Sequence, residues 1–237
     1  GKVGLDFNLD WLWNKKKECS KTQEVCQEIG KDEQNIQVES KNNTKNNLIA
    51  SKLVLTIPCF RGTFSVGGEY SKCTRDNNYI VFPKDILEDK YGRIVESLGS
   101  GFMEYSKKIG ALKLLLGLRY ELLDYNYHEK ESDKFDQSHV YRNFLPSFML
   151  SLPLGNWQMQ LGYGTDIQRP TYYTVRNSIQ YDNKYTYEAG NPYLVSQISR
   201  NVNYDVSYKW MSVNMMYSHI SDPLLLYSQS YKNNPQI

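Results

Sequence analysis

From Trp157 to Thr165, and again from Asn201 to Trp210, apolar and polar residues alternate. Trp157, Met159, Leu161 and Tyr163 fall on one side of the first segment, and Gln158, Gln160, Gly162 and Gly164 on the other. In the second, Val202, Tyr204, Val206, Tyr208 and Trp210 oppose Asn201, Asn203, Asp205, Ser207 and Lys209. Side chains of a strand point to opposite faces with period two, so each segment predicts a strand with one apolar and one polar face. Each is about ten residues long and ends in aromatics. Those are the dimensions of a membrane-crossing β-strand, whose apolar face meets lipid and whose ends carry an aromatic girdle.

The same period recurs along the chain. Val3 to Trp13, Ile49 to Ile57, Thr63 to Ser71, about Leu98 to Lys107, Leu112 to Glu121, Asn143 to Leu152 and Val213 to Ser218 complete the set. The connections alternate between long and short. Long polar stretches at about 14–47, 72–96, 124–138 and 166–198 read as loops, and the first as solvated loop of mixed charge. Short turns fall at Pro58–Gly62, Lys108–Gly110, Pro153–Asn156 and Met211. A meander with two unlike ends is the habit of transmembrane barrels, with short periplasmic turns and long outer loops. Soluble sandwiches follow no such rule. The expected fold is all-β: an antiparallel up-and-down meander of about nine strands, part of a larger transmembrane β-barrel. Hydrocarbon tolerates no unpaired sheet edge, and single-chain bacterial barrels have even strand counts, so nine strands suit a piece of a barrel.

Composition sharpens this reading. Only 40% of residues are hydrophobic and mean hydropathy is −0.61. The longest apolar stretch, Ala111 to Leu118, is interrupted by Lys113 and is too short for a helical span. A barrel needs no such run, because half of each strand faces a polar interior. The 20 Tyr favour strands and membrane interfaces. A net charge of +2 argues against nucleic acid as a partner. Of the four Cys, Cys59 and Cys73 flank one predicted strand, which at about 3.3 Å per residue holds them roughly 45 Å apart, so they cannot bond. Cys19 and Cys26 share a polar segment where a bridge is conceivable and unpaired thiols are the simpler reading. No signal peptide opens residues 1–237, although an outer-membrane protein is exported with one, and the chain stops in a polar stretch. The expectation is one partial barrel domain spanning 1–237, without plug or closing strands.

Catalytic chemistry is not visible. There is no Gly-x-Ser-x-Gly, His-Glu-x-x-His or P-loop pattern, and His128, His139 and His219 are scattered. We therefore expect no enzyme, no metal and no cofactor. Charged residues such as Asp6, Asp10, Lys52 and Glu69 fall on the polar faces, where they read as a hydrated wall with charge pairs across neighbouring strands, or as a surface contacting a pore or plug. Lys113, Arg119, Glu121, Gln158, Gln160, Asn203 and Asp205 are the lumen-facing polar candidates. Arg169, Tyr172, Tyr185 and Tyr187, in the last long stretch, are the ligand-contact candidates: aromatics on an outer loop can stack on sugars or peptides, and can equally pack the loop. Asn191 reads as a turn residue.

Some of these residues carry a likeness. Gln168-Arg169-Pro170-Thr171-Tyr172, then Tyr185-Thr186-Tyr187 and Gly190-Asn191-Pro192-Tyr193-Leu194, resemble the C-terminal half of barrels in the TonB-dependent receptor-like outer-membrane family of Bacteroidota. Gly110 to Glu121 looks like the preceding hairpin of that family, and Phe144-Leu145-Pro146-Ser147 its Phe-Pro-Ser segment with one residue inserted. Val195-Ser196-Gln197 departs from the acidic or proline residues usual there. The resemblance implies part of an outer-membrane receptor or transporter for TonB-dependent-type ligand uptake. It also implies outer-membrane lipid, a plug domain, the TonB complex and an unknown small ligand as partners. Two alternatives stand beside it: a surface-binding or adhesion barrel without active import, and a soluble β-sandwich that binds glycans.

Overall fold

A computed structural model describes residues 2–26, 34–84, 86–130, 134, 136–183 and 185–229. Strands β1 (Gly4–Cys26), β2 (Gln34–Cys59), β3 (Gly62–Phe82), β4 (Lys90–Ile109), β5 (Leu112–Glu129), β6 (Gln137–Leu154) and β7 (Trp157–Gln168) follow one another by hairpins. A short helix α1 (Tyr172–Val175) and a small hairpin, β8 (Ile179–Asn183) and β9 (Thr186–Ala189), come next. Strands β10 (Gln197–Tyr208) and β11 (Met211–Ser221) complete one 9-stranded sheet, β1-β2-β3-β4-β5-β6-β7-β10-β11, antiparallel throughout. Sequence neighbours are space neighbours except at β7–β10, where the excursion intervenes.

At one end every connection is a tight two-residue turn, at residues 60–61, 110–111, 155–156 and 209–210. Phe60 and Arg61 both take positive φ, 50° and 58°, the left-handed geometry that matches a two-residue turn to the twist of its strands. Gly110 and Gly155 supply the same conformation without a side-chain penalty.

Register sorts the side chains. One row of direct partners runs Ile57, Phe64, Tyr105, Leu116, Phe148, Tyr163, Val202 and Tyr217 across the sheet, apolar or aromatic at every step. Leu5, Phe7, Leu9 and Trp11 extend the face onto β1. Phe7 is 63% exposed, Trp11 75%, Leu116 45% and Met215 59%, so this face is not the inside of a packed core. A single sheet with one broad uncovered apolar face has lipid as its natural neighbour and rules out the two packed layers of a sandwich. Trp11 Nε1 donates to Asn47 Oδ1 (3.0 Å) at the face's upper rim, where an indole keeps its polar edge wet.

The strands outrun the lengths expected of them. The segments 14–47, 72–96 and 124–138, expected as loops, are strand for most of their length: β1 has 23 residues and β2 has 26, about 85 Å at about 3.3 Å per residue. A hydrocarbon core needs only about 9–11 residues of strand. Beyond it the outward face of the β1–β2 hairpin meets water and the inner face, though covered, is largely polar, with Thr44 buried and donating to Asn77 Oδ1 (2.7 Å), so Lys41-Asn42-Asn43-Thr44-Lys45 shows no alternation. This also corrects the setting of Cys19, which lies on β1 as a free thiol donating to Glu39 Oε1 (3.5 Å). Cys59 and Cys73 are free as well, and the Cys26 side chain lies outside the described residues.

Beyond the apolar band, polarity changes sides. On β5 the apolar face is Leu112, Leu114, Leu116, Leu118, Tyr120 and Leu122. Past Leu122 it becomes Asp124, Asn126 and His128, while Leu123, Tyr125 and Tyr127 carry the apolar residues on the opposite face. Leu123 and Tyr127 are buried, as are Ile94 on β4, Tyr79 and Val81 on β3 and Val38 on β2. These make the protein's true core. One cluster joins Val38, Tyr79, Val81 and Leu87 to Ile179, Tyr181 and Tyr187, and the other joins Ile94 and Tyr127 to Val175, Tyr172 and Leu194. The excursion between β7 and β10 is therefore folded down onto the sheet, over the face opposite the apolar one.

Candidate functional site

The polar face is organised by a ladder of charge. Lys52 on β2 and Glu69 on β3 are direct partners, with Nζ 2.6 Å from Oε1. Arg119 on β5 reaches across β4 to Glu69 (Nη2–Oε2, 2.5 Å) and turns its Nε to Glu121 Oε1 (2.7 Å). The intervening β4 residue in this row, Ser100, is small enough to be spanned. Phe102 lies beneath both cations, 5.2 Å from Lys52 Nζ and 5.8 Å from Arg119 Cζ. Glu121 is 5% exposed and takes a second guanidinium, that of Arg169, at Oε2. A buried carboxylate is tolerated because two charged donors satisfy it.

Arg169 is the first residue after β7, so this ion pair ties the root of the excursion to β5. A second tie follows. Glu129, 1% exposed on β5, accepts from Asn177 Nδ2 (2.7 Å) and lies 3.0 Å from Lys90 Nζ. Between the two ties, Thr171 caps the single turn of α1, its Oγ1 accepting from the Thr174 backbone (3.3 Å). The later Gly190-Asn191-Pro192 segment docks on that turn. Asn191 N–H donates to Thr174 O (2.7 Å), and Asn191 Oδ1 accepts from Tyr193 N–H (3.0 Å) as a side-chain-closed turn. A Cβ on Gly190 would sit 2.5 Å from Arg176 O and 2.7 Å from Thr174 O, so only glycine permits this approach. The two motifs, 20 residues apart in sequence, are thus two halves of one joint.

Under the excursion lies a polar cleft of about 470 Å³. Glu18, Asn42, Arg75 and Asn77 from β1–β3 form one wall, and Thr171, Tyr172, Tyr173, Arg176, Ser178 and Gln180 the other. Arg75 Cζ lies 4.2 Å from the centre of the Tyr172 ring, and Arg176 Cζ lies 3.6 Å from that of Tyr173. Burial depresses the Arg176 guanidinium to a pKa of about 10, against the pull of nearby Tyr172 and Tyr79. Burial also pushes the Tyr172 phenol well above its usual value.

The ligand-contact candidates do not form one constellation. Arg169 is committed to Glu121. Tyr172 lines the cleft and packs on Ile94 and Tyr127. Tyr187 stacks edge-on against Tyr181 (5.6 Å) in the other core cluster. Tyr185, 54% exposed, is held near the β8–β9 turn by its N–H to Asn183 Oδ1 (2.9 Å). The polar candidates Lys113, Arg119, Glu121, Gln158, Gln160, Asn203 and Asp205 all share the face opposite the apolar one, and Arg119 and Glu121 form an ion pair there. Gln160 faces Asp205 across β7–β10, and Asp205 accepts from Asn214. Lys113 lies far off, in an open depression of about 750 Å³ beside the short turns, with Arg61 and Lys108. Sequence reasoning missed Arg75, Arg176 and Ser178. The run Glu69, Ser71, Cys73, Arg75, Asn77 continues the polar face's phase and would have placed Arg75. Nothing in the sequence marks Arg176. No cluster of three or more metal-ligating side chains occurs among the described residues, and His128 instead pairs with Asp136 (2.5 Å).

Known structures share this architecture. The alcaligin outer-membrane receptor FauA from Bordetella pertussis superposes with a TM-score of 0.52 at 9% identity, over 96% of this chain and 38% of that one. The ferripyoverdine receptor of Pseudomonas aeruginosa gives 0.57 at 12% identity, over 92% and 31%. The ferric citrate transporter FecA gives 0.53 at 12% identity, over 86% and 30%. The chain thus spans about a third of the length of these solved receptors. No curated protein sequence matches it. The uncovered apolar face, the polar wall behind it and the alternation of tight and long ends are those of an outer-membrane barrel, and the model of the outer membrane protein beta-barrel family matches residues 2–237, so the chain belongs to that family.

Proposed function

We propose that the chain forms part of a receptor barrel for TonB-dependent-type uptake of a small ligand, and that the excursion at 169–196 builds the ligand-contacting mouth. The observation that carries this reading is the excursion's position. It folds down over the polar side of β1–β5, tied by Arg169 to Glu121 and by Asn177 to Glu129, and it encloses a cleft with two stacked arginines. A loop placed so narrows the opening and presents side chains to whatever enters. The resemblance of its two motifs to receptor-like barrels of Bacteroidota supports the same reading. So do the names of the barrels of like fold, which refer to alcaligin, ferripyoverdine and ferric citrate.

On this reading the polar face lines the lumen. Lys52, Glu69, Arg119 and Glu121 face a plug domain, and the inner-membrane TonB complex supplies the energy. In-cell cross-linking of the full-length protein tests it. A cross-link to TonB is expected. Its absence, with the protein correctly assembled in the outer membrane, would leave a barrel that binds at the surface without import.

A further inference from the structure

We propose that the cleft between Arg75 and Arg176 is an oxyanion site, taking the carboxylate or phosphate group of a small ligand. The proposal rests on the receptor reading only for what the ligand is used for, not for the binding itself.

Arg176 is 3% exposed, yet its Nε and Nη2 have no hydrogen-bond acceptor among the described residues. Arg75 Nε is in the same state, and Ser178, 4% exposed, has an unpartnered hydroxyl. Buried polar groups are nearly always paired, and a buried charge without strong hydrogen bonds is costly, so several such groups around one cleft mark a place for a partner. The acids nearby do not fill that role. Glu188 comes to 3.8 Å of Arg176 Nη2 without a hydrogen bond, is half exposed, and accepts from Tyr173 instead. Glu18 is held by Lys16. Tyr172 and Tyr173 cover one face of each guanidinium, leaving the donor edges for bonding. A planar fork of donors suits two oxygens of one anion better than any neutral ligand. The volume, about 470 Å³, suits a small molecule.

The test uses the full-length protein in detergent and isothermal titration with three probes: inorganic phosphate, succinate, and succinamide as the uncharged isostere of succinate. Saturable binding of phosphate or succinate is expected, and which of the two is tighter separates a phosphate ligand from a carboxylate one. Succinamide should not bind. Arg176→Gln and Arg75→Gln should each weaken the anion at least tenfold. Lys45→Gln, which removes the same charge from the other side of β2, should leave it unchanged. Heat-modifiable migration checks that each variant is folded, and Arg176→Lys replaces Arg176→Gln if the latter is not. Absence of saturable binding by both anions, or equal weakening by Lys45→Gln, overturns the proposal. Neither result bears on TonB cross-linking, so the uptake reading stands or falls separately.

Discussion

The guanidinium of Arg169, one residue past the end of β7, donates to the buried carboxylate of Glu121 in the middle of β5, which already holds Arg119. One acid therefore joins the charge ladder of the sheet to the root of the excursion. Removing Glu121 takes the carboxylate from Arg169 and leaves Arg119 with Glu69 alone, whereas removing Arg169 leaves Glu121 still bonded to Arg119. Glu121→Ala should cost about 3–5 kcal/mol and Arg169→Gln clearly less. The double mutant should show a coupling of about 0.5–3 kcal/mol. Urea unfolding in vesicles measures all three, and strict additivity would remove the pair from any structural role.

Gly190 and Gly99 make a matched contrast. A Cβ at Gly190 meets backbone atoms of Arg176 and Thr174, which cannot move aside, while a Cβ at Gly99 meets nothing within 4 Å. Gly190→Ala should destabilise the excursion by about 1–3 kcal/mol and open it to protease, while Gly99→Ala should stay within about 0.5 kcal/mol. Equal protease resistance in the two variants would contradict the tight docking of the Gly190 segment on α1.

The change of side along β5 is measurable by spin labels placed one at a time from Leu112 to His128 in the full-length protein. Labels at even positions through Leu122 should be reached by oxygen dissolved in lipid. Past it, even positions should be reached by a water-soluble nickel chelate, and Leu123, Tyr125 and Tyr127 by neither. Independently, Leu116→Lys should cost about 2–4 kcal/mol, the penalty for a cation near the bilayer midplane. A single unbroken phase from 112 to 128 would be incompatible with the core described.

Tyr127 gives the excursion an alkaline limit. Burial raises its phenol to about 12, although a hydrogen bond from the Asn177 backbone pulls it down. Because the folded value lies above the unfolded value of about 10, the folded state holds its proton more tightly. The associated stability is complete below about pH 10 and is lost as pH rises toward 12. Tyrosinate absorbance and proteolysis should move together in that window in the wild type, and Tyr127→Phe should push the loosening to higher pH. Loosening at an unchanged pH in that variant would assign it to another group.

Cys19 reports which end of the sheet lies outside. It is exposed on the long β1–β2 hairpin, whereas burial raises the Cys73 thiol on β3, with Glu96 adding to the effect. A membrane-impermeant maleimide on intact cells should label Cys19 rapidly and Cys73 slowly. Labelling of Cys19 only after lysis would invert the orientation.

The strands were legible wherever lipid lies on one side and polar groups on the other, because that contrast writes a period of two into the residues. Beyond Trp13 and before Leu48 the outer side is wet and the inner side is covered mostly through polar residues such as Asn42 and Thr44, so the contrast vanishes and the β1–β2 hairpin reads as loop although its ladder is continuous. On β5 the apolar residues shift by one place, from Leu122 to Leu123. That shift is visible in the sequence, but it acquires a meaning only when something apolar is known to lie on the inner side.

The order of residues by itself determined the number of membrane strands, their register-compatible faces and the two unlike ends. These follow from local alternation and turn chemistry, which need no distant partner. Only the tertiary structure decided that the excursion folds down and does not stand away, that Arg169 serves Glu121, and that Arg75 and Arg176 come to share one cleft. Those contacts join residues roughly 50 to 100 positions apart, through charge and close packing that leave no periodic trace along the chain.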